Sequence, residues 1–162
     1  MASLSLHMFD ISSQHSEWKK WIHQFEDCIS IVICVDLNQY DEFLKGSNNT
    51  RLTESLFIFE SAVNSHWFRR ASIVLLLCNV GHFKEKLRSE PLSNYFPDYS
   101  SGDDFSRAWE YLLWRFDRLN RAHLNIYTCF CEPSDGSNMR NFVWSAVKDT
   151  MFRNANKASG IH

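Results

Sequence analysis

Three short apolar runs alternate along the chain with longer segments in which apolar residues recur at helical spacing. The runs are residues 29–35 (ISIVICV), 72–78 (SIVLLLC) and 125–131 (NIYTCFC). The first two are continuously apolar, as strands buried on both faces are, and the third is rich in aromatic and β-branched residues. A weaker run at residues 4–9 predicts a fourth strand.

Apolar stripes that repeat every three or four residues predict three helices. They comprise Leu52, Leu56, Phe59 and Val63; Phe105, Ala108, Trp109, Leu112, Phe116 and Leu119; and Phe142, Val143, Ala146, Val147 and Met151. Strands that alternate with helices are typical of a mainly parallel sheet covered by helices. The pattern therefore predicts one α/β domain over residues 1–162, with about four strands flanked by helices.

Composition and charge exclude several classes of protein. Hydrophobic residues make up 44% of the chain and aromatic residues 15%, which is far too apolar for a disordered chain. The formal net charge of -2 provides no general attraction to nucleic acid, so we expect no nucleic-acid partner. No run reaches the roughly 18 apolar residues that a membrane span requires.

The cysteines and the first residues of the chain suggest neither a metal site nor a lipid anchor. Cys129 and Cys131 share one face of a strand, but no second Cys/His pair has the spacing to complete a zinc site. We therefore expect no metal. Ala2 excludes myristoylation, and the first cysteine is Cys28, so no lipid anchor is visible.

Consecutive segments of the chain resemble a heterotrimeric G-protein α subunit (Gα), in the order in which that family has them. They are residues 8–14 (MFDISSQ), 19–25 (KKWIHQF), 33–41, 52–59, 64–68, 91–97 and 126–128. The tract at residues 19–25 is specific to the family. The resemblance implies the carboxy-terminal part of a Ras-like P-loop GTPase fold, without its first strand, phosphate loop and inserted helical domain.

The resemblance also implies a site for GTP and Mg²⁺, and part of that site is altered. Asp10 stands at the position of the magnesium-associated aspartate, but the glycine pair that follows it in the family is replaced by two serines. Gln14 matches the glutamine that orients the attacking water. No G-x-x-x-x-G-K-[ST] phosphate loop occurs in the sequence.

Both loops that recognise guanine in the family are substituted. Residues 78–81 (CNVG) align with Asn-Lys-x-Asp, which places Asn79 and Gly81 at family positions and leaves Gly81 without a side chain to accept from the base. Residues 131–134 (CEPS) align with Thr-Cys-Ala-Thr, where Glu132 brings a negative charge near the purine and Pro133 removes a backbone donor. We therefore expect no bound cofactor and no GTPase activity.

Protein–protein interaction in heterotrimeric G-protein signalling is the function that this resemblance favours. The alternatives are a GTP-binding and GTP-hydrolysing transducer coupled to a G-protein-coupled receptor, or a non-functional gene fragment. Expected partners are the Gβγ dimer, a receptor or an effector. We expect a cytoplasmic protein that reaches the inner face of the plasma membrane through such partners.

Two aromatic surfaces match the partner-contacting parts of the family. The residues that match are Lys19, Lys20, Trp21, His23 and Phe25 on the second switch helix, and Trp67 and Phe68 on an effector-contacting loop. Aromatic anchors beside cationic residues are enriched at interface hot spots. Core packing is the alternative for both sets, and the sequence leaves it open.

The missing first strand raises a question about the sheet. In the family that strand lies between the strands that match residues 4–9 and 29–35. A vacant position would leave unpaired backbone groups, each costing about 1–3 kcal/mol when buried. We expect residues 4–9 to move inward and pair directly with residues 29–35, giving a four-stranded sheet. The alternative is that they detach and leave residues 29–35 as an edge strand that invites another chain.

Replacing Trp21 with alanine tests the partner-binding prediction. If Trp21 is an exposed anchor on the helix that carries Lys20 and Phe25, the variant loses about 2 kcal/mol or more of binding to Gβγ and keeps its fold. Titration calorimetry measures the binding, and circular dichroism follows the fold. Unfolding of the variant would identify Trp21 as a core residue and refute the interface assignment.

Overall fold

A parallel sheet of three strands forms the framework of the molecule. The computed structural model describes residues 7–9, 25, 27–132 and 134–159. Within them the strands are β1 (Ser30–Asp36), β2 (Ser72–Cys78) and β3 (Ile126–Cys131), in the spatial order β1-β2-β3. Both outer strands pair with β2 in parallel, so β2 is the centre of the sheet.

Helices connect the strands and cover the sheet. They are α1 (Arg51–Val63), α2 (Val80–Lys86), α3 (Phe105–Leu119) and α4 (Gly136–Ala158). Single turns of 3-10 helix lie at Leu37–Gln39, His66–Phe68 and Leu92–Asn94. Parallel neighbours need crossover connections, which these helices supply. The predicted α/β class, a partial Ras-like fold with a parallel sheet flanked by helices, is confirmed.

Side-chain hydrogen bonds fix both ends of α1. Thr50 caps the start, where its hydroxyl oxygen accepts from the Thr53 amide at 3.2 Å. At the other end, the side-chain amide of Asn64 donates to the Leu119 carbonyl at 2.8 Å, and its oxygen accepts from the Ala122 amide at 3.2 Å. Asn64 therefore joins the end of α1 to the end of α3.

The larger core lies between the sheet and helices α1 to α3. Phe59 of α1 and Phe116 of α3 meet edge to face, with their ring centroids 5.0 Å apart. The sheet supplies Ile33, Val35, Ile73, Leu75 and Leu77 to this core. These side chains alternate along their strands, because every second residue of a strand points to the same face.

A smaller core lies on the opposite face of the sheet, under α4. It contains Val74 and Leu76 of β2, Cys131 of β3 and Ala146 of α4. Six successive residues of β2 are buried, as its continuously apolar sequence predicts. The same prediction for β1 is wrong at Cys34, which is exposed, because α4 packs mainly over β2 and β3.

The predicted fourth strand is not seen in the part of it that the structure describes. Residues 7–9 are not in a strand, and residues 4–6 lie outside the described residues. Met8 and Phe9 are 72% and 70% exposed, and the Phe9 ring lies 5.6 Å from that of Phe25. Among the described strands β1 is an edge, so the favoured expectation of direct pairing with residues 29–35 is not met in the described residues.

Two phenylalanines on α1 test the assignment of the larger core. Phe59 is fully buried, whereas Phe57, two residues earlier, is 43% exposed. Phe59→Ala should lower the free energy of unfolding by about 3–5 kcal/mol, because it leaves a cavity facing Phe116. The matched Phe57→Ala should cost about 1 kcal/mol or less. Urea denaturation measures both, and equal losses would contradict this core.

Candidate functional site

The carboxyl ends of β2 and β3 lie side by side. Each strand leads into one of the two loops that align with the guanine-recognition loops of the family. Cys78 and Cys131 end the two strands at the same register position. The amide of Asn79 donates to the Cys131 carbonyl at 3.2 Å, which extends the pairing by one residue. Ligands of open α/β sheets bind outside the carboxyl ends of the strands. This edge is therefore the candidate site.

Asn79 turns the chain sharply at the end of β2. Its backbone is left-handed, with φ of 60° and ψ of 38°. Asparagine tolerates this conformation better than most residues that carry a side chain. The turn starts α2 at Val80 and brings the next amide, that of Gly81, to the side of the loop that follows β3.

Glu132 and Gly81 connect the two loops. The amide of Gly81 donates to Oε1 of Glu132 at 2.9 Å, a hydrogen bond that the negative charge strengthens. A Cβ atom at Gly81 would lie 3.5 Å from the same oxygen. The Glu132 carboxylate therefore stands beside the position from which a side chain at residue 81 would project.

The resemblance alone implies for Glu132 only a negative charge near the purine. The missed signal was its place in the chain, one residue after the end of a strand that pairs with β2. A carboxylate at that position reaches the shared edge of the sheet. The contact itself joins residues 51 apart in sequence, so it depends on the register of β2 and β3.

Two thiols lie beneath these loops. The Sγ atoms of Cys78 and Cys131 are 2.9 Å apart, and Cys131 is only 6% exposed. Burial, followed by the hydrogen bond with Cys131, raises the pKa of the Cys78 thiol to about 12. Burial likewise raises the pKa of Cys129. In the described part of the chain, no group of three or more His, Cys, Asp or Glu side chains is placed to hold a metal ion.

Several predicted site residues lie outside the described residues. These are Asp10 and Gln14 of the nucleotide site, and Lys19, Lys20, Trp21 and His23 of the partner surface. Phe25 is described, and its half-buried ring packs against the larger core. The predictions for this segment remain predictions.

The two aromatic residues on the second predicted surface have different environments. Phe68 is 3% exposed and belongs to the larger core, so the expectation that it contacts a partner is corrected. Trp67 is half-buried, and its ring lies 4.3 Å from that of His66. Sequence alone does not separate these neighbours, because a turn points adjacent side chains in different directions.

No helix within the described ranges has the length and apolar character to cross a bilayer.

Comparison with known proteins gives a consistent result. Residues 1–151 match the family model described as G-protein alpha subunit. The chain is 54% identical to the guanine nucleotide-binding protein alpha-3 subunit of Neurospora crassa, covering 99% of this chain and 45% of that protein. It is 50% identical to the alpha-3 subunit of Ustilago hordei, covering 99% and 46%. It is 44% identical to the alpha-2 subunit of Saccharomyces cerevisiae, covering 99% and 36%.

These relatives also correct the expectation that the chain is not an enzyme. They are Gα subunits, which are GTPases, and this chain spans less than half of their length. The expectation rested on motifs missing from the sequence, whereas substitutions at Gly81 and Glu132 leave both loops at the sheet edge and keep a carboxylate there. The resemblance seen in the successive sequence segments is confirmed, and the chain belongs to the G-protein alpha subunit family.

Proposed function

We propose that this chain acts in heterotrimeric G-protein signalling as a guanine-nucleotide-binding module in which Glu132 recognises the base. Its relatives are named guanine nucleotide-binding proteins. The observation that carries the proposal is the Glu132 carboxylate, which the Gly81 amide holds at 2.9 Å on the edge of the sheet where ligands bind. The base-recognising carboxylate has moved from one loop to the other.

The chemistry of guanine suits a carboxylate at this edge. The Watson–Crick edge of guanine presents two adjacent donors, N1–H and the N2 amino group. An ionised carboxylate is an acceptor only, and its two oxygens match two parallel donors. Adenine presents an acceptor at N1 and has no amino group at C2, so the same carboxylate disfavours it. Glu132 therefore selects guanine over adenine.

The hydrogen bond from Gly81 positions the Glu132 carboxylate and leaves most of its acceptor sites open. A carboxylate has about four lone-pair sites, and one amide donor uses one of them. The carboxylate therefore keeps capacity for the two donors of the base. Because the amide already holds the side chain at the edge, less conformational entropy is lost when a base binds.

Glycine at position 81 and glutamate at position 132 suit one another. An aspartate at 81 would project toward the Glu132 oxygen, which is 3.5 Å from the site of its Cβ. A second carboxylate carried on that Cβ would repel the carboxylate of Glu132. With glycine at 81, Glu132 is the one carboxylate of this pair of positions.

Contacts with other proteins complete the proposed function. A signalling α subunit acts through Gβγ, receptors and effectors, and we propose the same classes of partner for this chain. The residues proposed for this role are Lys19, Lys20, Trp21, His23, Phe25 and Trp67. Attachment to the plasma membrane would follow from those partners.

Glu132→Gln tests the assignment of the base-recognising residue. Glutamine keeps the length of the side chain and the bond from Gly81, but it replaces one acceptor oxygen with an amino group that opposes the guanine donors. We expect the ratio of GDP to ADP affinity to fall by about tenfold, which is about 1.4 kcal/mol. Titration calorimetry with both nucleotides measures this ratio.

Two further variants control for charge and for position. Glu110 is an exposed glutamate on α3, so Glu110→Gln makes the same change of charge elsewhere and should leave the ratio unchanged. Adding Gly81→Asp to Glu132→Gln returns a carboxylate to the edge and should restore part of the preference for GDP. An unchanged ratio in Glu132→Gln would refute the role given to Glu132.

A further inference from the structure

Four of the five cysteines lie on the face of the sheet that α4 partly covers, and one pair of them is in direct contact. The four are Cys34, Cys78, Cys129 and Cys131, which share this face through the alternation of their strands. The Sγ atoms of Cys78 and Cys131 are 2.9 Å apart. Nothing in the proposed recognition of a base uses either thiol.

The register of the sheet selects this pair. Cys78 and Cys131 are paired across β2 and β3, whereas Cys34 and Cys129 both lie opposite Leu76. An apolar side chain therefore separates Cys34 from Cys129. Cys28 precedes β1, at the amino end of the strands and away from the other four.

The backbone is already at the spacing that a disulfide needs. Neighbouring strands lie about 4.7–4.9 Å apart, which falls within the roughly 4.4–6.8 Å that Cα atoms of a disulfide span. An S–S bond is about 2.05 Å long, so the two sulfur atoms need to approach by less than about 1 Å. Rotation of the side chains supplies this movement while the ladder of β2 and β3 stays paired.

We propose that Cys78 and Cys131 form a reversible oxidative modification site, which closes to a disulfide with hydrogen peroxide and reopens with a thiol reductant. Peroxide oxidises the partly exposed Cys78 to a sulfenic acid, and one water leaves. The Cys131 sulfur then attacks the Cys78 sulfur, its proton is lost, and the second water leaves. Two thiols and one peroxide thus give one disulfide and two waters, and two reductant thiols return the electrons and protons.

The environment of the pair sets a slow rate. Burial and the hydrogen bond with Cys131 hold the pKa of Cys78 far above neutral, so little thiolate is present. The reduced pair therefore persists under ordinary conditions and responds to sustained peroxide. The disulfide would fix the spacing of the loops that carry Gly81 and Glu132, and so would regulate the proposed nucleotide site. Formation of the disulfide does not itself depend on nucleotide binding.

Peptide mapping of the oxidised chain tests the proposal. The full chain is treated with hydrogen peroxide at low protein concentration, alkylated, digested without reduction and analysed by mass spectrometry. We expect a bridge between the peptides of Cys78 and Cys131, and a fall in free thiols from five to three that dithiothreitol reverses. Circular dichroism confirms that the chain stays folded during the treatment.

Single serine variants separate this pair from the other cysteines. Cys78→Ser should abolish the bridge and the accompanying fall in free thiols. Cys129 lies on the same face, two residues before Cys131 on β3, so Cys129→Ser should form the bridge as the wild type does. If a variant fails to fold, peptide mapping of the wild-type chain still shows whether the Cys78–Cys131 bridge forms. A folded chain whose peroxide-treated form contains no Cys78–Cys131 bridge, or bridges other cysteines instead, overturns the proposal.

Discussion

The pairing of β2 between β1 and β3 is the interaction on which the rest of the structure depends. Six successive residues of β2 are buried. The strand forms backbone hydrogen bonds with a neighbour on each edge, and its side chains make apolar contacts on both faces of the sheet. At its amino end, the buried Ser72 hydroxyl donates to Ser30 at 3.2 Å and accepts from Thr150 at 2.7 Å. This polar link attaches β1 and α4 to the central strand with its donors and acceptors satisfied.

The carboxyl end of β2 places two loops and two thiols together at one edge of the sheet. Because β2 and β3 are parallel and in register, Cys78 and Cys131 end together and their loops leave in the same direction. The left-handed turn at Asn79 then directs the Gly81 amide across the gap to Glu132. The contact between Gly81 and Glu132 and the thiol pair are thus consequences of the same register. A change in one is expected to affect the other.

The sequence was informative where burial dictates residue type. The predicted run at residues 72–78 coincides with β2, and the predicted runs at 29–35 and 125–131 match β1 and β3 to within one residue. A short continuous apolar run bounded by polar segments favours a strand that is buried on both faces. The exposed Cys34 departs from this rule, since the position of α4 over the sheet depends on contacts far along the chain.

Much of the candidate site could not be predicted from the sequence. The bond from Gly81 to Glu132 joins two loops through a register that no local pattern encodes. Phe68 and Trp67 are adjacent aromatic residues, and only the fold shows that Phe68 is in the core. The resemblance identified the family correctly, whereas the inference from missing motifs that the chain is not an enzyme is corrected by its relatives.

The account rests on recognition of a base at the edge formed by β2 and β3, and amide chemical shifts test this directly. The ¹⁵N-labelled chain is titrated with GDP and, separately, with ADP. The account predicts that the amides of Asn79, Gly81 and Glu132 shift with GDP and shift far less with ADP. Equal responses to the two nucleotides, or shifts confined to residues away from this edge, would contradict it.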